Sequence, residues 1–205
     1  MSRYEAPDSE GTFEPGSDGR VLSNKLGITA VEEMEDTELD LLEQLYNRVF
    51  REQFPVRELC VQDLKDWHRQ WLGRVYPWAG ELRTVNMSKG EFPFAAAHRI
   101  PDLLSRFQEE CLDRYTPCEE VDTEALVTAI AVTHAELILI HPFREGNGRL
   151  ARLLADVMSV QAHRSLLDYR DWDENREGYF AAIHAALGED YLPMKIFVRS
   201  AMEEA

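Results

Sequence analysis

The stretch from Asp122 to Ile140 constrains this chain more than any other. It is apolar nearly all round at helical period, and a helix without a polar face has to lie at the centre of its domain. Its end says as much as its length. Pro142 has no backbone N–H and disfavours helical geometry in the residue before it, so the helix should stop at or just before His141 and leave an imidazole at its mouth. The following residues, Phe143 to Gly148, contain two glycines that permit tight backbone geometry, and Gly148 should open a second helix through Arg149, Leu150, Ala151, Arg152, Leu153 and Leu154.

The residue types around that junction suit one kind of chemistry. Phosphoryl and nucleotidyl transfer ask for positioning and for charge stabilisation. An imidazole titrating near pH ~6.5 is largely neutral at cytosolic pH, so His141 can take a proton from an incoming hydroxyl as general base. Glu145 is a hard oxygen ligand suited to Mg²⁺. Free N–H groups of Gly146, Asn147 and Gly148 at a helix start can cradle phosphate oxygens, and Arg149 and Arg152, spaced i, i+3 on one helical face, can pair with terminal phosphates. Each feature has an ordinary explanation alone, as a structural histidine before proline or a solvated helix face. Their joint order is what a packed core does not require.

The string HPFREGNGRLAR resembles the signature of the Fic family, His-Pro-Phe-x-Asp/Glu-Gly-Asn-Gly-Arg-x-x-Arg, at every defining position. Upstream, HRQWLGRVYPWAGELRTVNMSKGEFPFA is similar to the family's flap region, and the resemblance runs from about Gly16 to the last helix. It implies a helical fold with a β-hairpin flap, and transfer of AMP from ATP to a Tyr, Thr or Ser hydroxyl of a target protein with release of pyrophosphate. The roles of His141, Glu145 and the arginines match those of the family. By the same resemblance Val85, Asn86, Met87, Ser88 and Lys89 form the flap that would hold a target segment as an added strand. Tyr179 and Phe180 match an aromatic position bordering the nucleotide base, and Leu187 stands where many relatives carry an asparagine.

The rest of the chain fits one all-α domain with a short hairpin. Residues 1–24 are rich in Gly, Pro, Ser and acids and read as an arm, loop or partly disordered, leaving 25–205 for the Fic-like domain. Thr29 with Glu32 resembles a capping box, after which Leu41, Leu42, Leu45, Tyr46, Val49 and Phe50 mark one helical face. Leu59, Leu64, Trp67 and Trp71 mark a second helix that Gly73 should close, its tryptophans serving packing. Leu82 to Met87 alternates, Ser88-Lys89-Gly90 should turn and Glu91 to Phe94 return, a hairpin. His98 to Tyr115 reads as a helix, Asp171 or Asp173 can cap one carrying Tyr179, Phe180, Ile183 and Leu187, and Pro193 can open a last one through Ile196, Phe197 and Ala201.

Composition removes some classes of function. With 38 acidic against 22 basic residues, a formal charge of −16 argues against binding along a nucleic acid backbone. Cys60, Cys111 and Cys118 read as reduced, buried thiols of a cytoplasmic protein, and no uncharged apolar run of membrane-spanning length is evident. Three other readings compete with adenylyl transfer: kinase-like phosphotransfer on the same fold, a nucleotide-binding module without transfer, and a metal-dependent hydrolase using His134, His141 and Glu136. The first departs at Gly-Asn-Gly-Arg, intact here; the second lacks the base and acid; the third has poor ligand spacing, and His134 reads as a core histidine.

Control and target follow from the resemblance as expectations. The family's inhibitory helix, Ser/Thr-x-x-x-Glu-Gly/Asn, aims its glutamate at the second motif arginine, here Arg152. Thr29 with Glu33 and Ser200 with Glu204 match it only in part, and GSDGRVLSNKLGIT resembles toxin members held by a separate small antitoxin, so inhibition in trans is expected. Such toxins modify type II topoisomerases, whereas secreted effectors of the family modify host GTPases.

Overall fold

A computed structural model of the chain describes residues 12–90, 92–119 and 121–203. Among the described residues the fold is all-α with one two-stranded hairpin, and it divides into two units whose sequences interleave. The first holds the segment ending at Phe54, Gln62–Asp102 and His141–Gly146; the second holds Pro55–Val61, Leu103–Ile140 and the segment beginning at Asn147.

In the first unit, residues 12–24 of the expected arm form a loop with a defined path, and residues 1–11 lie outside the described part. Phe13 bridges to Leu22, and the Asn24 side-chain oxygen accepts the N–H groups of Leu26 and Ile28. Helix α1 (Val31–Asn47) begins after Ala30, which makes no side-chain cap, so the box between Thr29 and Glu32 does not form. Glu32 and Glu33 in the first turn still suit the positive end of the helix dipole. The run continues as a π-helical turn, Arg48–Glu52, with Val49 buried. Helix α2 (Val61–Leu72) buries Leu64, Trp67, His68, Trp71 and Leu72, so its tryptophans do pack the core. A buried carboxylate needs partners, and the Glu38 carboxylate receives the Tyr76 hydroxyl at 2.7 Å while its backbone carbonyl receives Trp71 Nε1 at 2.8 Å.

The hairpin lies further along the chain than its sequence pattern suggests. Strands β1 (Ser88–Lys89) and β2 (Phe92–Pro93) pair antiparallel, Ser88 opposite Pro93 and Lys89 opposite Phe92. Ser88 and Lys89 are therefore strand, and Gly90 at φ +58° makes the turn. Pro93 has no N–H to give a longer ladder, although Phe94 N–H reaches the Met87 carbonyl at 3.0 Å. Alternation upstream reports burial instead of pairing: Arg83, Val85 and Met87 are buried between exposed Thr84 and Asn86.

Helix α3 (Ile100–Phe107) follows a 3₁₀ turn at Ala97–Arg99 and leads through a π-helical turn, Gln108–Leu112, into α4 (Asp113–Tyr115). In the second unit, α5 (Thr123–Ile140) is the axis. By length and composition it could cross a membrane; here most of it is buried, packed on α6 (Asn147–Gln161), α8 (Arg176–Ala185) and α9 (Leu192–Glu203). Its burial explains its missing polar face. Gln161, at the end of α6, donates to the Pro55 and Arg57 carbonyls and accepts Cys118 N–H, which satisfies a buried amide.

Asn175 caps α8 by accepting Gly178 N–H at 3.1 Å, the task expected of Asp171 or Asp173. Those two acids lie one turn earlier in a short helix, α7 (Arg170–Glu174). Pro193 sits in the first turn of α9 as expected, but Ile196 is 66% exposed while Phe197, Val198 and Ala201 fill the core. Ser200 lies within α9, and Glu204 is outside the described residues.

Candidate active site

The motif loop starts where the physics of proline puts it. Helix α5 ends at Ile140, and His141 adopts the left-handed backbone conformation, φ +51°, which few non-glycine residues take. Arg83 holds it there. Its Nε donates to the His141 carbonyl at 2.7 Å, its backbone N–H to the Pro142 carbonyl at 2.9 Å, and its two terminal nitrogens to the Val85 and Ala95 carbonyls, both at 2.6 Å. The His141 ring stacks on Phe94 with centroids 3.7 Å apart.

His68 holds the other end of the loop. Gly80 N–H donates to its Nδ1 at 2.8 Å, so Nδ1 carries no proton, and Nε2–H is left to donate to the Glu145 carbonyl at 3.0 Å. The same ring lies flat against Phe143, centroids 4.1 Å apart, which anchors the loop as its apolar side chain suggested. Gly146 then turns at φ +80°, and a Cβ there would stand 2.7 Å from the Trp71 ring, so glycine is required on two counts. The half-exposed Glu145 carboxylate receives Gly146 N–H at 2.9 Å.

Helix α6 begins at Asn147, one residue before the expected Gly148, and Asn147 is buried. Gly148 has an ordinary backbone and open space where a Cβ would point, so packing does not demand it. Arg149 is half-buried. Arg152 is gripped by Asp173 through both terminal nitrogens, at 2.6 and 3.0 Å.

Tyr179 has a core role. It is 8% exposed, stacks on Trp172 at 5.4 Å, and its hydroxyl donates to His134 Nε2 at 2.8 Å. Burial pushes its phenol well above the ordinary range. Phe180 is half-buried with its ring edge-on to Tyr179. Among the flap residues, Val85 and Met87 turn into a small apolar cluster with Phe94 and Phe92, Asn86 accepts Ala97 N–H, and Ser88 and Lys89 are partly exposed.

The hydrolase alternative finds no ligand set. His134 Nδ1 faces the Ala151 carbonyl, so it must carry the proton and donate, while Nε2 accepts from Tyr179; both nitrogens are used. Burial lowers its pKa to about 3, which keeps it neutral. Glu136 accepts the Tyr191 hydroxyl at 2.6 Å. Among the described residues no cluster of three His, Cys, Asp or Glu side chains could hold a metal ion. A single half-exposed carboxylate such as Glu145 does fit Mg²⁺, which is commonly held by one or two carboxylates together with substrate phosphates and water.

Two residues that hold this geometry, Arg83 and His68, were not expected from the sequence, and Asp173 was expected only as a helix cap. The first two left a signal. Arg83 is in phase with Val85 and Met87 on the buried side of an alternating stretch, and His68 shares the α2 face of Leu64 and Trp71.

The model of the Fic/DOC family matches residues 58–159. A protein of Sinorhizobium fredii, "Probable protein adenylyltransferase y4lH", is 33% identical over 150 residues, covering 73% of this chain and 74% of that protein. The chain belongs to the Fic/DOC family. The protein adenylyltransferase fic-1 of Caenorhabditis briggsae is 29% identical over 146 residues, 69% of this chain, although the match spans only 27% of the nematode protein. Among solved Fic structures, the BepC effector protein of Bartonella tribocorum, crystallised with AMPPNP, has a TM-score of 0.71 at 22% identity, covering 88% of this chain and 91% of that one. The hairpin and the loop between α5 and α6 are thus the flap and signature loop of a Fic fold.

Proposed function

We propose that this chain is a protein adenylyltransferase that moves AMP from ATP to a Tyr, Thr or Ser hydroxyl of a target protein. The observation that carries the reading is the loop from His141 to Gly146, held by its carbonyls between Arg83 and His68, in a chain whose Fic signature is complete. The names of the Sinorhizobium and nematode relatives and the AMPPNP bound by the Bartonella protein support it.

In this reading the target hydroxyl oxygen attacks the α-phosphorus of ATP and passes its proton to His141, while the bond to the bridging oxygen breaks and pyrophosphate leaves. N–H groups of Asn147 and Gly148 at the start of α6 donate to phosphate oxygens, joined by that of Gly146 once it leaves the Glu145 carboxylate, and Arg149 and Arg152 pair with the outer phosphates. Glu145 would hold Mg²⁺, which when bound would supply positive charge to the phosphates. Ser88 and Lys89, a partly exposed strand of the hairpin, would register the target segment by main-chain hydrogen bonds. Phe180, half-buried and edge-on to Tyr179, is the better placed of that pair to border the base.

The test is incubation with a target-containing lysate and ATP labelled at the α or the γ phosphate. Adenylylation puts label on protein from the α position alone, and His141→Ala removes it without unfolding the chain. Label from the γ position would instead select kinase-like transfer. Glu145→Ala should need more Mg²⁺ for the same rate; an unchanged Mg²⁺ dependence would remove that role. The finer reading is a cytoplasmic toxin acting on a type II topoisomerase and restrained in trans by a small antitoxin. Strong activation of the isolated chain by Glu33→Gly would rule out restraint in trans.

A further inference from the structure

The outer arginine of the signature is already occupied by this chain's own carboxylate. Arg152 Nη1 donates to Asp173 Oδ2 at 3.0 Å and Nη2 to Oδ1 at 2.6 Å, an end-on fork. The guanidinium also lies 4.8 Å from the Tyr169 ring centroid and 5.9 Å from that of Trp172. Those rings are fixed independently of it. Trp172 Nε1 donates to the Phe197 carbonyl, and the Tyr169 hydroxyl donates to the Arg152 carbonyl and to Asp156.

The two kinds of partner do different work. The rings confine Arg152 on its buried side, where a cation against aromatic faces is held without any acid. Asp173 is the solvent-side partner, its side chain 63% exposed against 27% for Arg152. A pair with so exposed a member is weakly held, so Asp173 adds little to the position of the arginine. It does remove the arginine's charge from the field an incoming phosphate would feel, and it puts a carboxylate where phosphate oxygens would bind. Its bond to Arg152 holds its carboxyl below the usual range, so it is ionised at neutral pH. Arg176, three residues on, also acts on it favourably, so a displaced Asp173 has a second cation nearby.

We propose that Asp173 determines nucleotide selectivity at this site by competing with the terminal phosphates of a nucleoside triphosphate for the Arg152 fork. The inference rests on the reading of Arg152 as a phosphate ligand. It goes beyond that reading in giving the chain an internal competitor outside the signature, at a position with no part in the family's inhibitory pattern. Triphosphates are held less tightly than the intact signature would allow, and nucleoside monophosphates, which have no outer phosphate, are unaffected.

The test measures equilibrium binding of ATP and AMP to the full chain at low salt, for wild type, Asp173→Asn, Arg152→Ala and the double variant. Asp173→Asn should tighten ATP binding by about 1.5-fold to fivefold, the scale of an exposed pair, leave AMP unchanged, and lose its effect in the Arg152→Ala background. Asp173→Ala serves as a second variant, since asparagine can still accept one hydrogen bond. If Arg152→Ala weakens ATP while both Asp173 variants leave it unchanged or weaken it, Asp173 does not compete and the proposal is overturned, with the phosphate role of Arg152 intact. If Arg152→Ala leaves ATP affinity unchanged, or the wild type binds no ATP, the underlying reading fails and the proposal falls with it.

Discussion

Arg83 and His141 are 58 residues apart in the chain, yet Nε of the one lies 2.7 Å from the carbonyl oxygen of the other. The contact is to backbone, and the arginine, 3% exposed, serves two more carbonyls at Val85 and Ala95. A buried cation is tolerated when each face has an acceptor, and here all the named acceptors are main chain. Replacing it with methionine should strand three carbonyls, at roughly 1–3 kcal/mol for each buried group left unsatisfied. We expect Arg83→Met to lower unfolding free energy by about 3 kcal/mol or more and to reduce transfer even where the chain remains folded. A denaturation midpoint within error of wild type would show that the loop does not depend on the clamp.

Gly146 and Gly148 should respond in opposite ways to alanine. At Gly146 a methyl group meets the Trp71 ring at 2.7 Å on a backbone with φ +80°, so Gly146→Ala should cost on the order of 1–3 kcal/mol of stability. At Gly148 the methyl group meets nothing within 4 Å, so Gly148→Ala should melt within a few degrees of wild type while losing nucleotide affinity through crowding of the phosphate approach. Thermal melts beside ATP titrations separate the two. Equal destabilisation by both would remove the distinction.

His134 should make the fold sensitive to acid. Its pKa is about 3 when folded and near 6.5 in an unfolded chain. Between those values the unfolded state binds the proton and the folded state does not, so stability falls as pH falls from 6.5 towards 3. The slope from this residue is at most about 1.4 kcal/mol per pH unit. His134→Gln should flatten that part of the stability profile, whatever it costs overall; an unchanged slope would show that His134 is not responsible.

Cys111 and Cys118 should be slow towards thiol reagents. Burial raises both thiols to about 12, helped at Cys111 by Glu136 and Glu110, so at pH 8 only about one thiol in ten thousand is ionised. Cys60, expected to be buried, is instead partly exposed. Native protein should therefore show one fast thiol and unfolded protein three. Three fast thiols in the native chain would contradict the burial of the other two.

What the sequence disclosed was mostly what is set locally. Pro142 ended α5 where a residue without an N–H must, and the glycine at 146 stood where a left-handed turn was needed. The start of α6 differed by one residue, because Asn147 already has helical geometry. Caps were less legible: Thr29, Asp171 and Asp173 all have suitable side chains, but Ala30 begins α1 without a bond and Asn175 begins α8. The hairpin was found and misplaced, since alternation from Arg83 to Met87 marks a buried side whether or not a strand pairs there. The carboxylate on Arg152 was invisible, because a surface acid 21 residues away has no local feature that names its partner.

The loop is gripped by what every amino acid has in common. In the bonds described above, Arg83 and His68 take hold of carbonyls, those of His141, Pro142 and Glu145. Shape and reactivity are therefore written in separate alphabets. Descendants of such a gene could discard the imidazole or the acid and still inherit the mould, free to become decoys or scaffolds that receive a nucleotide and do nothing to it. For the experimenter the same separation is an asset: a His141 variant should remain a faithful cast, fit to catch the target of the proposed transfer.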